Sequence, residues 1–201
     1  MKNPIRSVTV YCSSSTKLDP VYYAAGAALG RAIALEKWDL VYGGNHVGLM
    51  ATLADAARAA GGRVIGITPQ LFIDQGVGDS RCDELVVTQN MRDRKATLER
   101  RGDAFVALPG GLGTFEEIFD IVVHRQLGYH NKPIVLLNID GYYDCLIQMI
   151  NNGVEKRFIR IEPERLFLTA PTVEAAIAFL RSPNPSGQSS AENPVTSSAT
   201  E

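Results

Sequence analysis

Asp103 to Leu108 is a short apolar run of the kind that forms a buried strand. It leads directly into Pro109-Gly110-Gly111-Leu112-Gly113-Thr114-Phe115-Glu116-Glu117, and then into Ile118 to Leu127, whose apolar residues fall on a broad helical stripe. A strand that ends on three glycines and resumes as a helix points to a parallel α/β sheet. In such a sheet this turn lies at the carboxyl end of a strand, where ligands bind. Glycines let the backbone approach a ligand closely and take up positive φ. The free N–H groups and positive dipole end of the new helix suit an anion such as phosphate. The plainer alternative is an ordinary glycine-rich turn capped by Thr114.

The same pattern recurs along the chain. Ser7 to Cys12 reads as a first strand, followed by Ser13-Ser14-Ser15, which can cap a helix, donate to a ligand or form a plain polar loop. Asp19-Pro20 opens an alanine-rich helix through Ala34, with proline well placed in the first turn. Trp38 to Tyr42 is a second strand, and Gly43-Gly44-Asn45-His46-Val47-Gly48 a second glycine-rich turn. A helix from Leu49 to Ala60 stops at Gly61-Gly62, and Arg63 to Thr68 is a third strand. From Pro69 to Asp83 the periodicity breaks down; Asp74, Gly76, Gly78 and Asp79 predict a mobile loop that could serve as a lid. Leu85 to Thr88 is a fourth strand, and Met91 to Arg101 a helix with Asn90 as its N-cap. Ile134 to Asn138 is a sixth strand, Tyr142 to Asn151 a helix ended by Gly153, and the stretches 166–168 and 172–180 close the domain.

The expected fold is α/β, Rossmann-like and doubly wound, a mostly parallel sheet with helices on both faces, forming one nucleotide-binding domain over 1–181. Right-handed crossovers put every strand-to-helix turn at one edge, so the serines, both glycine turns and the start of the Met91 helix should converge. Residues 182–201 are rich in Ser, Pro, Asn and Gly, with Val195 the only large apolar residue, and are expected to be a disordered tail.

Composition narrows the function classes. With 201 residues, 45% hydrophobic and 21% charged, the chain reads as a soluble globular protein. A formal net charge of -2 argues against wholesale binding of nucleic acid or membrane. No apolar run reaches the ~20 residues of a membrane span, and Met1 to Arg6 do not lead into a signal-peptide core. Cys12, Cys82 and Cys145 form no CxxC pair, and His46, His124 and His130 have no metal-ligand spacing. The expected compartment is the reducing cytoplasm, with no metal site.

Two sets of charges call for explanation. Met91, Arg94 and Leu98 are spaced i, i+3, i+7, which puts Arg94 on the apolar stripe facing the protein. An inward guanidinium needs a planar anionic partner; the candidates are a ligand phosphate, a ribose or base, and Glu116 or Glu117, with a purely structural salt bridge as the alternative. Arg92, Arg100 and Arg101 read as a solvated face. Glu116 and Glu117 are expected in the first turn of the next helix, ionised by its dipole. A second carboxylate beside an anion site makes sense if positive charge develops there. Cleavage of an N-glycosidic bond passes through an oxocarbenium-like transition state, which an anion stabilises. It could also orient or deprotonate water.

These residues carry a family resemblance. Pro109 to Glu117 matches the PGGxGTxxE motif of the LOG ("lonely guy") proteins, cytokinin riboside 5′-monophosphate phosphoribohydrolases long misnamed lysine decarboxylases. Val10-Tyr11-Cys12-Ser13-Ser14 is similar to the family's opening strand, Gly43 to Met50 to its GGGxxGLM segment, and Met91 to Ala96 to its MHxRK segment. Arg92 stands at the usual His, and Asn45 at the third glycine. The resemblance implies hydrolysis of an N6-modified adenosine 5′-monophosphate, or of AMP, to free base and ribose 5-phosphate. It implies Arg94 and Glu117 as the catalytic pair. Ser13, Gly44, Lys95, Gly110, Gly111, Leu112, Gly113, Thr114, Phe115 and Glu116 would hold the nucleotide. It further implies no metal or organic cofactor, and a homodimer with the site near the subunit interface.

Rival readings fit less of the chain. Molybdenum-cofactor carrier proteins resemble this fold and hold a phosphorylated ligand at glycine turns, but a carrier does not need the paired Arg94 and Glu117. A pyridoxal-phosphate decarboxylase needs a Schiff-base lysine with a partner at the ring nitrogen; Lys95 could serve, but no separate motif supports it. Gly111-Leu112-Gly113 lacks the third glycine of a dinucleotide fingerprint.

Overall fold

The computed structural model describes residues 5–182. The tail expected over 182–201 lies, beyond Ser182, outside the described residues. Seven parallel strands form one sheet in the order β4-β3-β2-β1-β5-β6-β7. They are β1 (Ser7–Tyr11), β2 (Asp39–Tyr42), β3 (Val64–Pro69), β4 (Glu84–Thr88), β5 (Ala104–Ala107), β6 (Ile134–Leu137) and β7 (Leu168–Ala170). The helices are α1 (Pro20–Leu35), α2 (Gly48–Ala59), α3 (Gln70–Asp74), α4 (Met91–Arg101), α5 (Leu112–Gln126), α6 (Asp144–Glu155) and α7 (Val173–Arg181). The expected doubly wound fold is therefore present, and the sheet is parallel throughout.

The strand order reverses between β1 and β5, the switch point beside which α/β sheets bind ligands. Central strands are buried on both faces and split their side chains between two cores. Val8 and Val10 of β1 and Ala104 and Val106 of β5 pack against Leu29, Ile33, Leu53 and Ile177 of α1, α2 and α7. Tyr11 and Phe105, one step out of phase, pack with Leu98, Ile118 and Ile121 of α4 and α5. Leu29, Ile33 and Leu53 are fully buried, and burial of each contributes ~2 kcal/mol. Helix starts follow the sequence signals: Pro20 sits in the first turn of α1, and the Asn90 side chain accepts the Asp93 N–H at 2.9 Å.

Two expectations are corrected. Helix α6 runs through Gly153 to Glu155. Gly153 makes room instead of stopping the helix: a Cβ there would sit 2.9 Å from Ile159 Cδ1, and the chain turns out only at Arg157, with φ 63°. The 69–83 segment is likewise no unanchored lid. Its first part is α3, and its second part is tied to the β2–α2 turn. The Asp79 N–H donates to Gly44 O at 2.8 Å, the His46 N–H donates to Val77 O at 2.9 Å, and Asn45 bridges Gly78. Asp79 is 1% exposed. Its carboxylate accepts from the Tyr42 hydroxyl at 2.9 Å, from Arg58 at 2.8 Å and from Arg81 at 3.1 Å. An acid that reads as a solvated loop residue is thus the buried counter-ion that fixes the segment.

Burial alone would raise the Asp79 pKa, but the hydrogen bonds from Tyr42, Arg58 and Arg81 outweigh it and hold the carboxyl at about 2. A depressed carboxyl stabilises the fold above its unfolded value of about 3.9, and that contribution is lost as pH falls from there through about 2. Asp79→Asn should lower stability to urea unfolding at neutral pH by about 3 kcal/mol, the lower end of the range for a broken buried pair because Arg81 is half exposed. It should also flatten the dependence of stability on pH between 4 and 2; an acid limb as steep as the parent's would contradict this role.

Candidate active site

The turns after β1, β2 and β5 and the start of α4 meet at one edge of the sheet around a cleft of about 400 Å³. A second cavity, about 240 Å³, lies by β6 and β7 and is lined by none of the predicted site residues.

The centre of the cleft is an ion pair between two helices. Arg94 of α4 is 6% exposed, as its place on the apolar stripe predicts. All three guanidinium nitrogens are engaged: Nη1 donates to Glu117 Oε1 at 2.8 Å, Nε to Ile67 O at 3.0 Å, and Nη2 to Gly43 O at 3.3 Å. Gly43 makes this possible, since a Cβ there would lie 2.4 Å from Arg94 Nη2. Burial raises the pKa of Glu117, and the charge and hydrogen bond of Arg94 pull it back part of the way. The result is a carboxylate with heightened basicity that is held in one orientation.

The influence that lowers the Glu117 pKa corrects the sequence expectation. Helix α5 begins at Leu112 with Gly111 as N-cap, so Glu116 and Glu117 lie in its second turn and the first turn holds no acid. The dipole therefore acts on them less than expected, and Arg94 does what was assigned to it. The amides of Leu112, Gly113 and Thr114 precede the first intrahelical bond, from the Phe115 N–H to Gly111 O. Added Cβ atoms at Gly111 and Gly113 would meet nothing within 4 Å, so both glycines face open cleft. Thr114 is 4% exposed and provides no side-chain cap, which rules out the simple capped turn.

Of the expected site residues, Arg94, Glu117, Ser13, Gly111, Leu112, Gly113, Thr114 and Glu116 border the cleft. Four do not. Gly44, at φ 72°, packs on the backbone of β3. Gly110 is buried against Thr114. Phe115 packs into the core beside Tyr143. Lys95 points away, with Nζ 2.8 Å from Glu116 and 3.5 Å from Asp120. Glu116 is thus neutralised on the outer side, and the two neighbouring acids have separate cations. Arg92 and Arg100 are exposed as expected, whereas Arg101 is half-buried and pairs with Glu84 at 2.6 Å. At the position of the missing third glycine, Asn45 is 4% exposed and accepts from the Thr68 hydroxyl at 2.8 Å.

Several contributors were missed from sequence. Tyr11 and Cys12 line the cleft, and burial, followed by the nearby Glu117 charge, raises the pKa of each, so both stay protonated. Met50, Phe72 and Met91 give the cleft an apolar wall. Tyr142 and Tyr143, from the turn after β6, grip the carbonyls of the central glycine turn. The signal available for them was a tyrosine pair on the glycine turn Asp140-Gly141, directly after the strand that neighbours β5. Among the described residues, no group of three or more His, Cys, Asp or Glu could hold a metal ion, and no helix is long and apolar enough to cross a membrane.

Because Arg94 lowers the Glu117 pKa more than any other neighbour, Arg94→Met should raise it further. A carbon-13 titration of the Glu117 carboxyl in both proteins measures this, and a carboxyl that titrates unchanged, or lower, in the variant would refute the coupling.

Comparison with known proteins gives the constellation a lineage. Residues 50–180 match the family model described as "Possible lysine decarboxylase". The chain is 42% identical over 172 residues, 86% of this chain and 76% of the other, to "Probable cytokinin riboside 5′-monophosphate phosphoribohydrolase LOGL9" of Oryza sativa subsp. japonica. It is 36% identical over 185 residues, 92% of this chain and 81% of the other, to "Cytokinin riboside 5′-monophosphate phosphoribohydrolase LOG5" of Arabidopsis thaliana. Among solved structures, the molybdenum cofactor binding protein of Rippkaea orientalis is similar, with a TM-score of 0.65 and 25% identity over 90% of this chain and 97% of that one. With a family match across most of the folded chain and relatives more than one-third identical over most of its length, this chain belongs to the LOG family.

Proposed function

We infer that this protein hydrolyses the N-glycosidic bond of cytokinin riboside 5′-monophosphates, N6-modified adenosine 5′-monophosphates, releasing free base and ribose 5-phosphate. The relatives' activity is the prior, and the buried Arg94–Glu117 pair at the mouth of a phosphate-suited helix is the observation that carries it. In this reading the 5′-phosphate sits on the amides of Leu112, Gly113 and Thr114, where orphan N–H groups and the dipole favour an anion. The base lies toward Met50, Phe72 and Met91, whose apolar surface suits a purine with an apolar N6 substituent. As the C1′–N9 bond breaks, its electrons leave with the base and positive charge gathers on the ribose. Glu117 faces that charge and stabilises it. It also orients the water that attacks C1′ and takes its proton, a role suited to a carboxylate of raised pKa; that proton then passes to the departed base, which completes the free base and restores the carboxylate. Arg94 holds Glu117 in place and limits how far burial raises its pKa.

The protein acts in the cytoplasm as a homodimer of a single nucleotide-binding domain spanning 1–181. Support for the dimer comes from α5 and the turn after it, where Phe119, Val123, Leu127 and Tyr129 are between 41% and 75% exposed. A second reading, a non-catalytic carrier of a phosphorylated ligand, is favoured by the likeness to the Rippkaea orientalis protein.

Incubation with AMP and with N6-isopentenyl-AMP, with free base followed by chromatography, separates the two. Faster release from the modified nucleotide is expected; tight nucleotide binding with no release would establish the carrier. Glu117→Gln should keep the fold and most nucleotide affinity while turnover falls by on the order of 10³-fold. Parent-like turnover in that variant would remove Glu117 from the mechanism. Arg94→Ala should weaken both binding and rate.

A further inference from the structure

A glycine turn offers aligned amide donors only if its peptide planes are fixed, and glycine does not fix them by itself. Here the restraint comes from another strand. After β6 the chain turns through Asp140 and Gly141, at φ 53° and 67°. Asn138 locks the turn, accepting the Tyr143 N–H and donating to Asp144, both at 2.7 Å. The turn sets Tyr142 and Tyr143 edge to face, with ring centroids 5.1 Å apart, and the Tyr22 ring of α1 contacts Tyr142 at 6.0 Å. The Tyr143 hydroxyl, buried, donates to Leu108 O at 2.7 Å. The Tyr142 hydroxyl donates to Gly110 O. The two phenols therefore hold the carbonyls on either side of Pro109.

The two bonds differ in consequence. The peptide after Leu108 leads to Pro109, which has no N–H, so Tyr143 only anchors the chain. The peptide after Gly110 carries the Gly111 N–H. In a planar trans peptide the carbonyl and the following N–H point in opposite directions, so a Gly110 carbonyl held by Tyr142 turns the Gly111 N–H to the other side. Gly111 borders the cleft. Donation to the carbonyl also polarises the amide and strengthens its N–H as a donor.

We propose that Tyr142 is a positioning residue for the phosphate end of the substrate: by holding the Gly110 carbonyl it aims the Gly111 amide at the anion. This rests on the nucleotide-hydrolase reading of the cleft. At 39% exposure, the tyrosine can lose its hydroxyl with water taking its place, so Tyr142→Phe should fold and melt close to the parent. The variant should raise KM for N6-isopentenyl-AMP about 5- to 10-fold while kcat stays within about 2-fold. Calorimetry with ribose 5-phosphate should show the same loss of affinity, with adenine binding unchanged, and the Gly111 amide resonance should move. Unchanged KM and ribose 5-phosphate affinity would overturn the proposal, as would an equal loss for adenine, which would mark a general distortion. If the parent released no base from any nucleotide, the hydrolase reading would fall, and the ribose 5-phosphate comparison would still decide the role of Tyr142.

Discussion

A guanidinium taken out of water must have its donors satisfied, and the architecture of this cleft follows from how Arg94 achieves that. Its three acceptors come from three separate segments: the backbone of β3, the backbone of the β2–α2 turn and the side chain of α5. Each must be in register for the others to be met. Gly43 must lack a side chain, the Ile67 carbonyl of β3 must point to the helix, and α5 must start early enough to bring Glu117 alongside. The arginine thus acts as a gauge of correct assembly as well as a partner for the carboxylate.

Two of the ion pairs that join helices α4 and α5 differ in character. Consecutive residues on α4, Arg94 and Lys95, meet consecutive residues on α5, Glu117 and Glu116. Neighbouring side chains on a helix point about 100° apart, so one pair turns inward and the other outward. The outer pair, with Glu116 more than half exposed, contributes little to stability. It keeps the Glu116 charge matched at the rim of a cleft suited to anions. The inner pair is costly to form and costly to break, and for that reason it fixes a single geometry.

The sequence made most of the fold legible, because each strand was short and apolar and each glycine turn introduced a helix. Arg94 was legible because a charge on an apolar stripe contradicts its surroundings. Glu117 was placed one helical turn too early, and its ionisation was assigned to the dipole. A helix start displaced by a few residues moved it beyond strong influence of the dipole, and the effect of Arg94 on its pKa depends on a contact 23 residues away in the chain. Asp79 was misread because its partners, Tyr42 and Arg58, lie far off in sequence, and an acid among glycines looks solvated. The gripping tyrosines left the weakest trace. They bond backbone carbonyls, which every residue has, so nothing at Leu108 or Gly110 marks them as acceptors.

The position of β1 in the sheet governs the order in which the chain can be finished. It pairs with β2 on one side and β5 on the other. During synthesis its first edge is satisfied once residue 42 has emerged, while the second stays open until residues 104–107 follow. For some 60 residues of translation an apolar strand at the middle of the future sheet presents unpaired amides and carbonyls to whatever is near, as an edge strand does. The cleft belongs to the same late event, since β5 covers the open edge of β1 and the turn leaving it is the one lined with glycines. The cleft and the pairing of the second edge of β1 are two results of a single step in the making of the molecule.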